Sequence, residues 1–466
     1  MAGRARRRRG RVLVPVALLA VLLGGGYVAA DVADVVPGVL TTRPERRPDP
    51  PFPQAEVPAA EAPDAVTGPD ETAAQPAADD LDAITAQLLG HAAVGSAGVL
   101  VTDVLTGEDL HAVAADETHV PASTTKLLTA VAAVAAAGAD HRFETRVVDD
   151  GDRVVLVGGG DLALAEGVGD PDAVVGHAGL ADLAAATAAS LTERGVTSVT
   201  VGLDVGYYVG PDMPPRWDDE DLAIGDAMHM APLAIDIGRQ EGRRERVADP
   251  AGEAVAAFVD ALVAEGVTVE GEVADVTVSP DAVEIASVAS APLGDLAAYM
   301  LRHSENILAE GIGRLVAHAT EQEPSFTGAG LAIAEVLDGL GVDVAGLELH
   351  DTSGLSSTNR ISPRTLVASL LAVAERPELG AVARGLPVAG LEGTLSDRLR
   401  EPPAAGLVAA KTGTLRATAT LAGYATTDDG RLVAFAVMVG DVPTGAIAGA
   451  RGAIDTWTAA LAACGC

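Results

Sequence analysis

The sequence predicts an α/β (α+β) protein, with one domain assembled from both ends of the folded chain and split by an inserted mixed α/β region. Three observations lead there. Near the start of the folded part, two apolar runs joined at Leu105-Thr106-Gly107 precede a helical pattern. From residue 407 the chain alternates in strand fashion and closes on a helical pattern. The stretch between, 142–291, mixes strand-like and helical segments.

The first eleven residues, MAGRARRRRGR, carry six arginines, and the uncharged run Val12 to Ala30 follows. A basic stretch before an apolar one reads as a signal peptide or signal anchor over 1–30, with the rest of the chain extracytoplasmic. Val28-Ala29-Ala30 offers small residues for cleavage. Left uncleaved, the segment would tie the protein to the membrane, although Pro15 and Gly24 to Gly26 weaken a spanning helix. Residues 31–80 are rich in Pro, Ala, Asp and Glu and lack apolar periodicity, so they read as a disordered tether.

The folded body starts near Leu81. AITAQLLGHAA reads as a helix, and the hairpin of 95–117 follows. TTKLLTAVAAVAAAG is the next helix, ending at Gly138. In the insertion, RVVDDGDRVVLV, VTSVTVGLDV and VTVEGEVADVTV read as strands and AVAAFVDALVAEG as a helix. The Gly158 to Gly160 run lacks the spacing of a dinucleotide loop and reads as a tight turn. LGDLAAYMLRHSENILAEGIGRLVAHA reads as a single long helix, and DTSGLSSTNRISP as a loop. Strands then run through LVAAKTGTLRATATLAGYATTDDGRLVAFAVMVGD, turning at TTDDGR, before the closing helix.

Composition narrows the function. A net charge of −35 offers no basic footprint for phosphates, so nucleic acid is not an expected partner. With 3% aromatic residues, the core must be built from Ala, Val and Leu. The two cysteines, Cys464 and Cys466, lie at the C-terminus, where they cannot staple the fold or make a zinc site. HExxH and GxSxG are absent, which argues against a zinc peptidase and a nucleophile-elbow hydrolase. No metal or other cofactor is expected. His229 and His303 read as structural.

Three short motifs stand in order: Ser123-Thr-Thr-Lys126, Ser304-Glu-Asn306 and Lys411-Thr-Gly413. Ser123 alone would fit a plain helix N-cap. One helical turn also places Lys126 on the face of Ser123, as a nucleophile and its base require. The first motif opens a helix, the second lies in a helical stretch and the third is on an apolar strand, the arrangement shared by penicillin-binding proteins and class A β-lactamases.

With LVGGGDLAL, RWDDEDLAIGDAMHMAPLAID, DTSGLSSTNRISP and GLPVAGLEGTL added to the motifs, the chain resembles the D-alanyl-D-alanine carboxypeptidase/endopeptidase family over roughly 84–460. These are the class C low-molecular-mass penicillin-binding proteins, peptidase family S13. The resemblance implies a penicillin-binding/β-lactamase-like domain, its central antiparallel sheet flanked by helices, from 81–141 and 292–466. The 181-residue separation of Ser123 and Ser304 is short for the family, which implies that one inserted subdomain is reduced or absent. Glu305 replaces the more familiar Asp in the second motif and is expected to point away from the site.

The chemistry can be stated in physical terms. Lys126 acts as a base only when neutral, so burial and the charge of Lys411 are expected to lower its proton affinity. Ser304 can relay a proton, and Asn306 can hold both Lys126 and a substrate amide. The backbone amide of Ser123, and by resemblance that of Thr414, would form an oxyanion hole. Lys411, Thr412 and Thr414 suit a terminal carboxylate, and Gly413 is expected to let a substrate strand come close. The implied partners are peptidoglycan stem peptides ending in D-Ala-D-Ala, cross-linked peptides, and β-lactams as covalent inhibitors. A β-lactamase or esterase on the same scaffold, or a catalytically weak cell-wall peptide-binding protein, are the alternatives.

Overall fold

A computed structural model describes residues 25–32, 72–214 and 216–464. The chain divides into two compact units, 1–67 and 68–466. In the first, 25–32 are helical. The expected signal segment before residue 25 and the tether across 33–71 lie outside the described residues, as does Cys466. Among the described residues, no helix is long and apolar enough to cross a membrane.

The second unit opens with helix α1 (Ala78–Leu89), followed by the expected hairpin of β1 (Ser96–Asp103) and β2 (Asp109–Val113). A 3-10 turn, Ala122–Thr124, leads into α2 (Thr125–Ala137), which Gly138 terminates at φ 84°. Every residue of α2 from Thr125 to Val134 is buried. Its run of Ala, Val and Leu is therefore apolar all round, the mark of a helix enclosed by others. In the middle of the chain come β3 (Glu144–Asp149), β4 (Val154–Val157), β5 (Val201–Asp204), β6 (Ala274–Asp275) and β7 (Val283–Ala289). They form a mixed sheet in the order β6-β5-β4-β3-β7. Helices Leu180–Glu193 and Pro250–Ala264 share a core with this sheet. The first of them is absent from the sequence expectation: six of the fourteen residues of LADLAAATAASLTE are Ala, and Ala and Thr make up half of its buried face, so its apolar stripe is faint.

The final third supplies α3 (Leu293–His303), α4 (Asn306–Ala319), α5 (Phe326–Gly339) and α6 (Pro363–Glu375). The strands β8 (Val408–Leu415), β9 (Thr418–Thr426) and β10 (Leu432–Gly440) follow, and α7 (Ile447–Ala462) closes the chain. Strands from both ends of the unit form one antiparallel sheet, β8-β9-β10-β1-β2. β1 and β10 are buried on both faces, as a sheet between two helical layers requires. Val99 and Val101 join a core with Trp457 of α7, while Leu100, of opposite parity, joins the core around α2. Each such fully buried side chain contributes about 1.5–3 kcal/mol. Cys464 is buried in the α7 core.

A second element differs from expectation. The single long helix predicted over 293–319 is two helices, because Ser304 ends α3 in the left-handed region, φ 57° and ψ 40°. Neither Gly nor Pro marks the break. The Glu305 side chain instead accepts the Ile307 amide and starts α4 anew.

Candidate active site

The turn carrying Ser123 is held from two sides. Ala122 lies at φ 49°, a left-handed conformation costing a non-glycine residue about 1–3 kcal/mol. The hydroxyl of Thr125 donates to the Ala122 carbonyl at 2.9 Å, and those of Thr124 and Thr420 donate to Pro121 at 2.7 and 2.8 Å. Two glycines make this packing possible. A Cβ on Gly354 would fall 1.9 Å from the Ala122 carbonyl oxygen, and one on Gly413 would fall 2.7 Å from that of Pro121. Gly413 was expected to make room for a substrate. The space its side chain would take is instead filled by Thr420, 2.1 Å away, and by the Ser123 turn.

Ser123 is half-buried at the mouth of this turn, and its hydroxyl caps no helix. It accepts a hydrogen bond from Lys126 Nζ at 3.1 Å. Lys126 is fully buried and donates two more, to Asn306 Oδ1 and to the Ser353 carbonyl, both at 2.6 Å. Asn306 in turn donates from Nδ2 to the Asp226 carbonyl at 2.8 Å. Burial lowers the Lys126 ammonium to about 8, against the opposing pull of the Asp351, Glu310, Glu305 and Asp226 carboxylates. The sequence reading gave Lys411 part of this lowering. The repulsion acts the other way: burial, and then the charge on Lys126, hold Lys411 well below an ordinary lysine.

Lys411, also fully buried, donates to Ser304 Oγ at 2.9 Å and to the Thr412 carbonyl at 2.8 Å. The left-handed turn at Ser304 puts that hydroxyl against β8. Thr412 Oγ1 lies 2.9 Å from Thr394 Oγ1. β8 is the edge strand of its sheet. Its first part is covered, since the Ala410 amide donates to Pro387 and the Ala389 amide to Val408. The amides of Thr412 and Thr414 share the parity of Ala410 and so point away from β9. Thr414 is exposed and borders a groove of about 600 Å³ that is also lined by Asp226, Leu355, Arg360 and Arg416.

Glu305 points away from Lys126, as expected, into a role the sequence did not suggest. Only 6% exposed, it pairs with Arg239 at 2.8 Å and Arg246 at 2.9 Å. Arg246 also donates to the Gly225 and Ile237 carbonyls. The segment that offers Asp226 to Asn306 is thereby anchored to the start of α4.

Sequence reasoning missed Ser353 and Asp226, which contribute carbonyl oxygens and so leave no side-chain signature. It also missed Asp351. This buried carboxylate accepts the amides of Gly354 and Ser356, the Asn359 side chain and the Trp217 indole N–H, and so shapes the loop that carries Ser353. His229 pairs with Asp212, and His303 packs on Tyr299.

A buried amine that can lose its proton beside a serine, facing an open strand edge, defines a serine hydrolase of the acyl-enzyme type. The model of the D-Ala-D-Ala carboxypeptidase 3 (S13) family matches residues 77–245 and 240–461. The chain belongs to that family and is a carboxypeptidase of the penicillin-binding class. It is 36% identical to Carboxypeptidase DacB of Mycolicibacterium smegmatis (strain ATCC 700084 / mc(2)155), across 99% of this chain and 98% of that one. It is also 36% identical to Carboxypeptidase Rv3627c of Mycobacterium tuberculosis (strain ATCC 25618 / H37Rv), across 85% and 86%. The fold is similar to that of penicillin binding protein 4 from Haemophilus influenzae, with a TM-score of 0.70 and 23% identity over 82% of this chain and 98% of that one.

Proposed function

We propose that Ser123 is the acylated nucleophile of a D-Ala-D-Ala carboxypeptidase/endopeptidase acting on peptidoglycan stem peptides. One observation carries this: Lys126 Nζ lies 3.1 Å from Ser123 Oγ while Asn306 and Ser353 hold it from other directions. A neutral Lys126 takes the Ser123 proton as Oγ bonds to the penultimate D-Ala carbonyl carbon. The amides of Ser123 and Thr414 hold the oxyanion. The C–N bond then breaks, and the proton passes by way of Ser304 to the leaving amine of D-Ala or of a cross-linked peptide. Water, deprotonated by the same route, releases the acyl group and regenerates Ser123. Lys411, Thr412 and Thr414 receive the terminal carboxylate, and the substrate lies along the open half of β8. β-Lactams acylate the same serine. The peptidase domain comprises 81–141 with 292–466, and 142–291 is its insertion. The basic and apolar N-terminal sequence supports export to the cell envelope, either by cleavage after the apolar run or with that run kept as a membrane anchor.

Intact-mass spectrometry of the full chain with benzylpenicillin tests this. One lasting adduct is expected on the wild type and none on Ser123→Ala. Release of D-Ala from a peptide ending in D-Ala-D-Ala is expected from the wild type alone. Rapid penicillin turnover without an adduct would replace this reading with a β-lactamase. A folded protein that neither forms an adduct nor turns the drug over would leave a binding role.

A further inference from the structure

We infer that Glu310 is a positioning residue for Lys126, acting through the Thr352–Ser353 segment. Glu310 sits in the second turn of α4, fully buried, and does not contact Ser123 or the groove. Its Oε1 accepts two successive amides, Thr352 N–H at 3.1 Å and Ser353 N–H at 2.8 Å. The carbonyl of Ser353 is the acceptor of Lys126 at 2.6 Å. The carboxylate therefore fixes the orientation of the residue whose carbonyl holds the base. The same loop is pinned from α2, where Thr129 Oγ1 donates to the Thr352 carbonyl at 2.7 Å. Close packing leaves it no slack, since a Cβ on Gly313 of α4 would fall 2.5 Å from Thr352 Oγ1.

Holding an acid in the core has a cost that ordinary packing does not explain. An apolar side chain would fill the same space without desolvating a charge, but it would leave two buried N–H groups unpaired. The charge is partly compensated by Arg314, whose Nη1 lies 3.5 Å away and whose guanidinium stacks on Tyr208 and Phe326. Burial, and then the Asp351 charge, raise Glu310 to about 6, so it is ionised where Lys126 titrates. Around Lys126 the charged groups are Asp351, Glu310, Glu305 and Asp226 from three segments of chain, Glu305 and Glu310 both belonging to α4 and its cap, together with Lys411. Two carboxylates reach the Ser353 carbonyl: Asp351 accepts the Gly354 amide of the same peptide unit at 2.8 Å, and Glu310 holds the two amides before it.

Proton inventory selects the test. Thr352 Oγ1 has one proton and lies 2.9 Å from the Ala309 carbonyl and 3.1 Å from Glu310 Oε2. In Glu310→Gln, the amide NH2 can donate to that hydroxyl while the oxygen still accepts both backbone amides. The substitution keeps the positioning and removes the charge, whereas Glu310→Ala removes both.

This inference rests on Ser123 being acylated, so the experiment uses the wild type as its internal reference. Benzylpenicillin acylation of the full chain is followed by stopped flow from pH 5 to 10, with thermal melts of each variant. In Glu310→Ala, the rate at high pH is expected to fall about 100-fold, the scale of a misplaced catalytic group. Glu310→Gln is expected to recover most of that loss. Its acid limb should move about one pH unit lower, because removing a nearby negative charge makes Lys126 easier to deprotonate. Two results would overturn the inference: a folded Glu310→Ala acylating within about threefold of wild type, or a Glu310→Gln limb coincident with that of wild type. If Glu310→Ala does not fold, the Glu310→Gln profile alone decides. Failure of the wild type to form an adduct is a separate outcome that removes the proposed nucleophile instead.

Discussion

As the proposed base, Lys126 works under opposing demands. It must lose a proton near neutral pH, yet four carboxylates act to keep it charged. Burial outweighs them and brings it to about 8. The sign for activity follows directly. The neutral form is the base, so acylation by benzylpenicillin should rise with pH through about 8 and level off above it. Lys126→Met, similar in volume, should lower the plateau rate by about 10²–10⁴-fold, the usual contribution of a general base. Stopped-flow acylation across pH checks both outcomes. A wild-type rate that is flat from pH 6 to 10 would mean that another group takes the proton. At this scale the sequence was informative where a side chain itself makes the contact: Ser123, Lys126, Ser304, Asn306 and Lys411 all make the bonds reported above. It was silent for Ser353 and Asp226, because any residue can supply a carbonyl.

The elements were legible where periodicity was clean, and less so where a single residue redirects the chain. The three C-terminal strands and α2 could be read from their apolar patterns. The α3–α4 junction could not, because Met300, Leu301, Ile307 and Leu308 keep helical spacing across Ser304 although Ser304 adopts a left-handed turn. That break is what presents Ser304 to Lys411. The strand–turn contact at Gly413 was similarly hidden, since its crowding comes from residues distant in sequence. Gly413→Ala should therefore separate β8 from the Ser123 turn. An overpacked methyl group costs about 1–3 kcal/mol, and acylation should slow as Thr414 and Ser123 move apart. Adding Thr420→Ala removes the nearest clash, at 2.1 Å, and should recover part of the lost melting temperature. Differential scanning calorimetry of the single and double variants, read beside penicillin acylation, checks this. A Gly413→Ala protein with unchanged melting and acylation would show that the strand moves freely.

On the scale of the whole molecule, the segment proposed as an insertion reaches the cluster around Lys126, since Asp226 accepts from Asn306 and Asn306 holds that lysine. The sequence sets 142–291 apart by its mixed strand-like and helical segments, but it cannot show that Asp226 reaches Asn306 or that Arg239 and Arg246 converge on Glu305. Those are contacts between segments far apart in the chain. The middle residue of Ser304-Glu-Asn306 therefore faces the insertion, while its neighbours face the chemistry. Arg246→Ala tests that coupling. It deprives Glu305 of one of two partners and leaves the Gly225 and Ile237 carbonyls without their donor. Breaking a buried ion pair by removing one partner costs about 3–5 kcal/mol; the retained Arg239 contact puts the expectation at the lower end. If the insertion positions Asn306, acylation should slow at a temperature where the variant is fully folded, because a shifted Asp226 releases the Asn306 amide. The acid limb should also move, since Asn306 holds Lys126. Melting curves and the acylation pH profile separate the two effects. A lowered melting temperature with an unchanged profile would reduce the insertion to a stabilising role.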